Sequence, residues 1–250
     1  MIQTTLVQLD NYGPWTVTPE PRAEMCLQAL QARLYADLAE AVGHRNGYAF
    51  YTRGDNMISV TNGIGREAHA EIQSSLAVQY PVTTSMAIGT GATPKEAVDD
   101  ASALMQSAGG AQSPNREMVV AGTSAPPSTD QHLSVAHFDV IDVTGRYTDR
   151  MGAFETYRTI ERGYSSLMDH LYTAHGALSF FVGGDNVVAL CPSLPQVAYR
   201  EALEHVREAT GVTLQVGVGT GATATEAGMA AKHGLERCRK ETVRITMARD

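Results

Sequence analysis

No apolar run in this 250-residue chain approaches the roughly 20 residues a membrane-spanning helix needs, so a bilayer protein is not expected. Cysteine is scarce. Cys26, Cys191 and Cys238 are odd in number and far apart, with no CxxC pair, which excludes a disulfide framework or a structural zinc site and fits a reducing cytoplasm. The histidines are scattered, and His170 and His175, five apart, do not stack as a ligand pair on one helix face. GxSxG, HExxH and GxxxxGKS/T are all missing, which removes the main support for the commonest hydrolase and P-loop chemistries. Basic residues are too few for a nucleic-acid or anionic-membrane binder, because the formal net charge is −8. The opening MIQTTLVQLD has no basic segment and reads as a first strand, not a signal peptide.

What is present repeats. "SMAIGTGATPKEA" (85–97) returns as "QVGVGTGATATEA" (215–227), with Gly89 and Gly219 130 residues apart. "FYTRGDNMISV" (50–60) returns as "FFVGGDNVVAL" (180–190), which puts Asp55 and Asp185 130 residues apart as well. "TLVQLDNYG" and "SVAHFDVIDVTG" are a third pair. In them Asp10 precedes Asp55 by 45 residues and Asp139 precedes Asp185 by 46. Two motifs at one offset indicate a tandem duplication, with domains at 1–108 and 132–250. Residues 109–131, rich in Gly, Ser, Pro and Ala, read as linker or surface loop, with EMVV packing locally.

In the second copy, strand alternation covers 133–141, and helical spacing of Phe154, Tyr157, Ile160, Tyr164, Leu167 and Leu171 predicts a helix over 149–175. A hairpin over 177–190 follows, then a helix over 195–210 ended by Gly211, a strand over 212–219, a helix over 224–240 and a strand over 242–247. The first copy reads the same way at 2–10, 22–42, 47–53, 56–61, 66–80 and 82–89. The expected fold is therefore α+β, a duplicated ferredoxin-like βαββαβ sheet with helices on one face. Thr93-x-x-Glu96 and Thr223-x-x-Glu226 are capping boxes, so GTGAT reads first as a strand exit packed closely under a helix; a phosphate cradle at the helix N-terminus is the alternative.

The topology brings the end of the first strand to the hairpin turn, so Asp139 and Asp185 converge. Gly-Asp-Asn alone is ordinary turn chemistry. Converging carboxylates, however, repel unless a cation lies between them. Asp139, Asp142 and Asp185 suit Mg²⁺, which binds through few carboxylates and completes its shell with water and phosphate. The loop 143–149, with Thr144, Gly145 and Arg146, offers N–H groups and a guanidinium to phosphates. Asp10 and Asp55 are the matching, weaker positions for metal. His137 lies two before Asp139 on the same strand face; no general base is identified.

"LDNYGPWTVTPEPR", "AFYTRGDN", "HFDVIDVTGR" and "FFVGGDN", in that order, resemble the archaeal-type GTP cyclohydrolase, GTP cyclohydrolase III, and the frame is similar to the palm-like fold of nucleotide cyclases. The resemblance implies a Mg²⁺-dependent hydrolase of GTP, activated by a monovalent cation such as K⁺ or ammonium. It also implies a cytoplasmic homo-oligomer, tetramer or dimer, with no nucleic-acid partner. The implied product is 2-amino-5-formylamino-6-(5-phospho-D-ribosylamino)pyrimidin-4(3H)-one, a riboflavin or deazaflavin precursor. The implied metal carboxylates are Asp139, Asp142 and Asp185. Two alternatives stay open. One is a nucleotidyl or diguanylate cyclase, against which Asn186 stands where those enzymes carry glutamate. The other is a regulatory module that binds a nucleotide without turning it over.

Overall fold

Strand β1, Ile2–Leu9, is buried along nearly its whole length because helices cover both faces of its sheet. The computed structural model describes residues 1–113, 116–125 and 132–247. They form two compact units, chiefly 1–125 and 132–247.

In the first unit β1 is followed by α1 (Tyr12–Val17), α2 (Glu24–Gly43), β2 (Tyr48–Tyr51), β3 (Asn56–Val60), α3 (Arg66–Gln79), β4 (Thr84–Gly91), α4 (Pro94–Ser107) and β5 (Val120–Gly122). The sheet order is β2-β3-β1-β4-β5, antiparallel except for β5, which runs parallel to β4. In the second unit β6 (Leu133–Val140) leads through a π-helical turn (Thr144–Thr148) into α5 (Ala153–His175). Then come β7 (Leu178–Gly183), β8 (Asn186–Cys191), α6 (Gln196–Thr210), β9 (Leu214–Gly221), α7 (Ala224–Glu241) and β10 (Ile245–Met247). Its order, β7-β8-β6-β9-β10, is that of the first sheet. Each unit is thus βαββαβ with one further helix and an edge strand, and the duplication holds element by element.

Helices lie on both faces, not on one as the repeat suggested. Adjacent strand residues point to opposite faces. Met86 packs with Leu34 and Leu38 of α2 and Leu76 of α3, while its neighbour Ala87 packs with Ala101 and Met105 of α4. Likewise Val216 and Val218 face α5 and α6 through Leu167, Tyr199 and Leu203, and α7 lies across the other face. Truncating fully buried Leu167 to alanine would cost about 2–5 kcal/mol.

That second layer settles GTGAT in favour of close packing. A methyl built on Gly89 would lie 2.2 Å from the Ala101 backbone nitrogen, and one on Gly219 2.2 Å from that of Ala231. Only hydrogen lets helix and strand backbones approach so closely. Glu96 and Glu226 reach back to accept the N–H groups of Ala92 and Ala222 at 2.8 and 3.0 Å, and so use donors a phosphate would need.

Three further expectations change. The predicted linker 109–131 contains β5 and a buried Arg116, so its described part belongs to the first sheet; residues 114–115 and 126–131 lie outside the described residues. The helix expected from 149 begins at Ala153, after the separate π turn. The final strand starts at Ile245 and not at 242, because Thr242, with φ 56°, ends α7 in a left-handed turn.

Candidate functional site

Asp139 faces α7. It pairs across β6–β9 with Gln215, whose Nε2 donates to Asp139 Oδ2 at 2.9 Å. Arg239, in the last turn of α7, completes a fork: Nη2 lies 2.9 Å from Oδ1 and Nε 3.3 Å from Oδ2. The carboxylate is almost fully buried, whereas the Arg239 side chain keeps 42% of its exposure.

Asp185 reaches the same place from the tip of the β7–β8 hairpin. Gly183 and Gly184, at φ 107° and 65°, make the turn that a side chain would strain, beside a bulge between Phe181 and Gly183. Burial, followed by the charge of Asp139 beside it, pushes the Asp185 carboxyl up to about 6. Its Oδ2 is buried with no hydrogen-bond partner. Two carboxylates held together with one buried oxygen unsatisfied form a site that favours a proton or a metal ion.

The other expected residues stand apart from this pair. Asp142 occupies the left-handed region at φ 54° and turns its exposed carboxylate to the Gly145 N–H at 3.2 Å. Its carbonyl accepts the Arg146 N–H at 2.9 Å. Two N–H groups expected to face phosphates are therefore engaged by Asp142 itself. Thr144 and Arg146 are exposed on the π turn, with Arg146 Nη1 3.4 Å from Thr213 Oγ1. Among the described residues no three acidic, histidine or cysteine side chains stand together as a metal-binding group. The pair Asp139–Asp185 is assembled, and Asp142 engages the π turn instead. His137 Nε2 lies 3.1 Å from Asn186 Oδ1, and burial lowers its pKa, so a neutral imidazole braces the hairpin.

The first unit corrects the matching of acids. Strand pairing sets Thr4 opposite Gly89 and Val135 opposite Gly219, so β1 and β6 correspond at an offset of 131. Gln8, not Asp10, is the counterpart of Asp139, and Asn11, at φ 52°, is the counterpart of Asp142. The similar spacing to the hairpin hid a shift of two residues. Asp10 is fully engaged: Arg116 Nε lies 3.1 Å away, Ser85 Oγ 2.8 Å and Thr83 Oγ1 3.1 Å, with both members of the ion pair 1% exposed. Asp55 has Arg53 at 3.4 Å.

Arg239, Gln215 and Arg116 were not foreseen. Gln215, a polar residue among the apolar ones that open β9, could have been found from the register. Arg239 reads in sequence as one of several cations that suit a helix C-terminus. A cleft of about 940 Å³ in the first unit includes Trp15, Arg22, Arg33 and Tyr80. Arg22 stacks 4.0 Å above the Trp15 ring, and its Nη1 also donates to the Trp15 and Thr18 carbonyls. The Trp15 face is thus already covered, and the cleft lacks the paired carboxylates that distinguish the Asp139 site.

A family model described as GTP cyclohydrolase III matches residues 1–248. Among similar proteins, GTP cyclohydrolase III 1 of Halobacterium salinarum is 54% identical, over 95% of this chain and 94% of its own. GTP cyclohydrolase III of Natronomonas pharaonis is 52% identical over 99% and 98%. GTP cyclohydrolase III of Halorubrum lacusprofundi is 52% identical over 98% and 96%. No helix among the described residues is long and apolar enough to cross a membrane.

Proposed function

Because the chain belongs to the GTP cyclohydrolase III family, we propose that it hydrolyses GTP, opening the guanine imidazole ring with the formyl group retained and two phosphates released. The product is then 2-amino-5-formylamino-6-(5-phospho-D-ribosylamino)pyrimidin-4(3H)-one, an early flavin or deazaflavin precursor. The observation that carries the site assignment is the buried, unpartnered Oδ2 of Asp185 against the Asp139 carboxylate.

That donor set fits Mg²⁺: two hard oxygen ligands, partly dehydrated, with room for water and phosphate oxygens in the rest of the shell. When bound, the ion supplies charge neutralisation for the triphosphate and a water made more acidic. Asp139 and Asp185 hold it in this reading. Gln215 keeps one Asp139 oxygen oriented. The Gly183-Gly184 turn fixes how far Asp185 projects from the sheet. Asp142 fixes the π turn, and Thr144 and Arg146, exposed there, face incoming phosphate. A monovalent activator such as K⁺ and a homo-oligomer belong to the same reading; salt substitution in the assay and light scattering check them.

The test is incubation with GTP and Mg²⁺ while phosphate, pyrophosphate and purine absorbance are followed together. Two equivalents of phosphate and loss of the purine band are expected. Pyrophosphate release with an intact purine would overturn the reading in favour of cyclisation.

A further inference from the structure

Resting on the reading that Asp139 and Asp185 hold a divalent cation, we propose that Arg239 is a built-in counter-ion that competes with that cation for Asp139. Three observations carry it.

The first is the geometry. The guanidinium spans both oxygens of Asp139, at 2.9 and 3.3 Å, and with Gln215 on Oδ2 it takes most of the carboxylate's acceptor positions and cancels its charge while the fork is closed. Gln215, the other donor, is neutral and orients the oxygen without cancelling its charge.

The second is that the fork can open. Arg239 sits at the solvent-facing end of α7 with 42% of its side chain exposed, and its Nη1 is already 2.6 Å from Glu236 Oε1. A guanidinium released from Asp139 keeps a carboxylate partner and gains water. Nothing buried is stranded on the arginine side.

The third is the contrast inside the chain. Arg116 makes a similar contact to Asp10, yet both side chains are 1% exposed and Arg116 also donates to the Gly109 carbonyl. That arginine is a fixed part of the core. Arg239 has the same chemistry with an exit.

Two carboxylates carry two negative charges, and Arg239 cancels one. A divalent ion arriving at the pair must either share Asp139 with a guanidinium or displace it. Displacement sets the apparent affinity below that of the bare pair and ties ion binding to movement of the α7 end. Arg239 is therefore a positioning residue, acting through Asp139.

The experiment is Mn²⁺ binding to the full chain without nucleotide, followed by electron paramagnetic resonance of free Mn²⁺, for wild type, Arg239→Gln, Arg239→Lys and Asp139→Asn. Arg239→Gln should bind about tenfold more tightly, as a coupling of ordinary size would give, with Arg239→Lys between it and wild type. A merely structural arginine would not produce that gain or that order. Equal or weaker binding in Arg239→Gln, with binding lost in Asp139→Asn, overturns the counter-ion while leaving the metal site standing. Asp139→Asn binding like wild type overturns the metal site, and this inference falls with it. Circular dichroism melting of each variant confirms that the compared chains are folded; should Arg239→Gln not fold, tighter binding by Arg239→Lys than by wild type supports the proposal, and its absence overturns it.

Discussion

The two units share topology and differ in what they do with a buried aspartate. In the first, Asp10 is closed in by Arg116, Ser85 and Thr83, and its charge is cancelled where water does not reach. In the second, Asp139 meets one neutral donor, one half-exposed arginine and a second carboxylate. The first arrangement is complete and has no use for a cation. The second is unfinished in the sense that matters for chemistry, with like charges adjacent and an oxygen unsatisfied. The two copies share the sheet, yet the first closes its buried aspartate in a fixed ion pair and the second leaves its own in a partly open one.

The largest expected effect tests the second half of that contrast. Asp139→Asn keeps the shape and the Gln215 contact but removes the charge, and GTP turnover should fall on the order of a thousandfold, the scale of losing a central electrostatic element. Steady-state phosphate release measures it. Retention of most activity would sink the assignment. Next comes stability. Arg116→Met strands Asp10 in the core and should cost about 3–5 kcal/mol in urea unfolding. Arg239→Met removes a partly solvated partner and should cost about 1 kcal/mol. Adding Mg²⁺ should recover the second loss and not the first; recovery of both would show that the two sites do not differ in kind.

The shared fold and the Asp139–Asp185 pair were legible in the sequence, whereas the partners that set the two aspartates apart were not, for identifiable causes. The 130-residue offset of GTGAT and of Asp55 and Asp185 fixes the duplicated fold, because two motifs can share an offset only if the elements between them do. The hairpin and the capping glutamates are local, and local chemistry is readable. The pairing of Asp10 with Asp139 failed because spacing along the chain cannot see a two-residue slide across a sheet; strand register can. Helices on both faces were missed because small residues in GTGAT mark close approach without saying from which side. Arg116 was hidden in a Gly- and Ser-rich stretch that reads as linker. Its partner is 106 residues away.

A smaller effect comes from pH and isolates the repulsion between Asp139 and Asp185 in metal-free protein. The Asp185 carboxyl is raised from 3.8 to about 6 on folding, so the folded state holds its proton more tightly than the unfolded chain. Its contribution to stability is present in full below about pH 4 and is lost as pH rises through 6. Asp185→Asn, which cannot ionise, should therefore raise the melting temperature at pH 7.5 and leave it unchanged near pH 4. The side chain is only partly buried, so screening reduces the gain to about 1 kcal/mol, or about 2–4 °C. Calorimetry in chelator at the two pH values checks this. With excess Mg²⁺ at pH 7.5 the ordering should reverse, because the wild type alone gains the ion. A gain of the same size at both pH values would mean that the turn, not the charge, is responsible.

The smallest effect sharpens the register. If Gln8 is the true counterpart of Asp139, Gln8→Asp restores an acid where the second unit has one. A bare restoration would suggest a second cation site. Arg116 argues otherwise: its Nη2 already lies 3.5 Å from Gln8 Oε1, and its Nε holds Asp10. The new carboxylate would find a guanidinium that cannot leave. Stability should change by about 0.5 kcal/mol or less, the range of a substitution that meets a compatible neighbour. Mn²⁺ stoichiometry should stay at the wild-type value. An added equivalent of bound Mn²⁺ would show that an acid at this register suffices for a site, and that the fixed arginine is not what separates the two units.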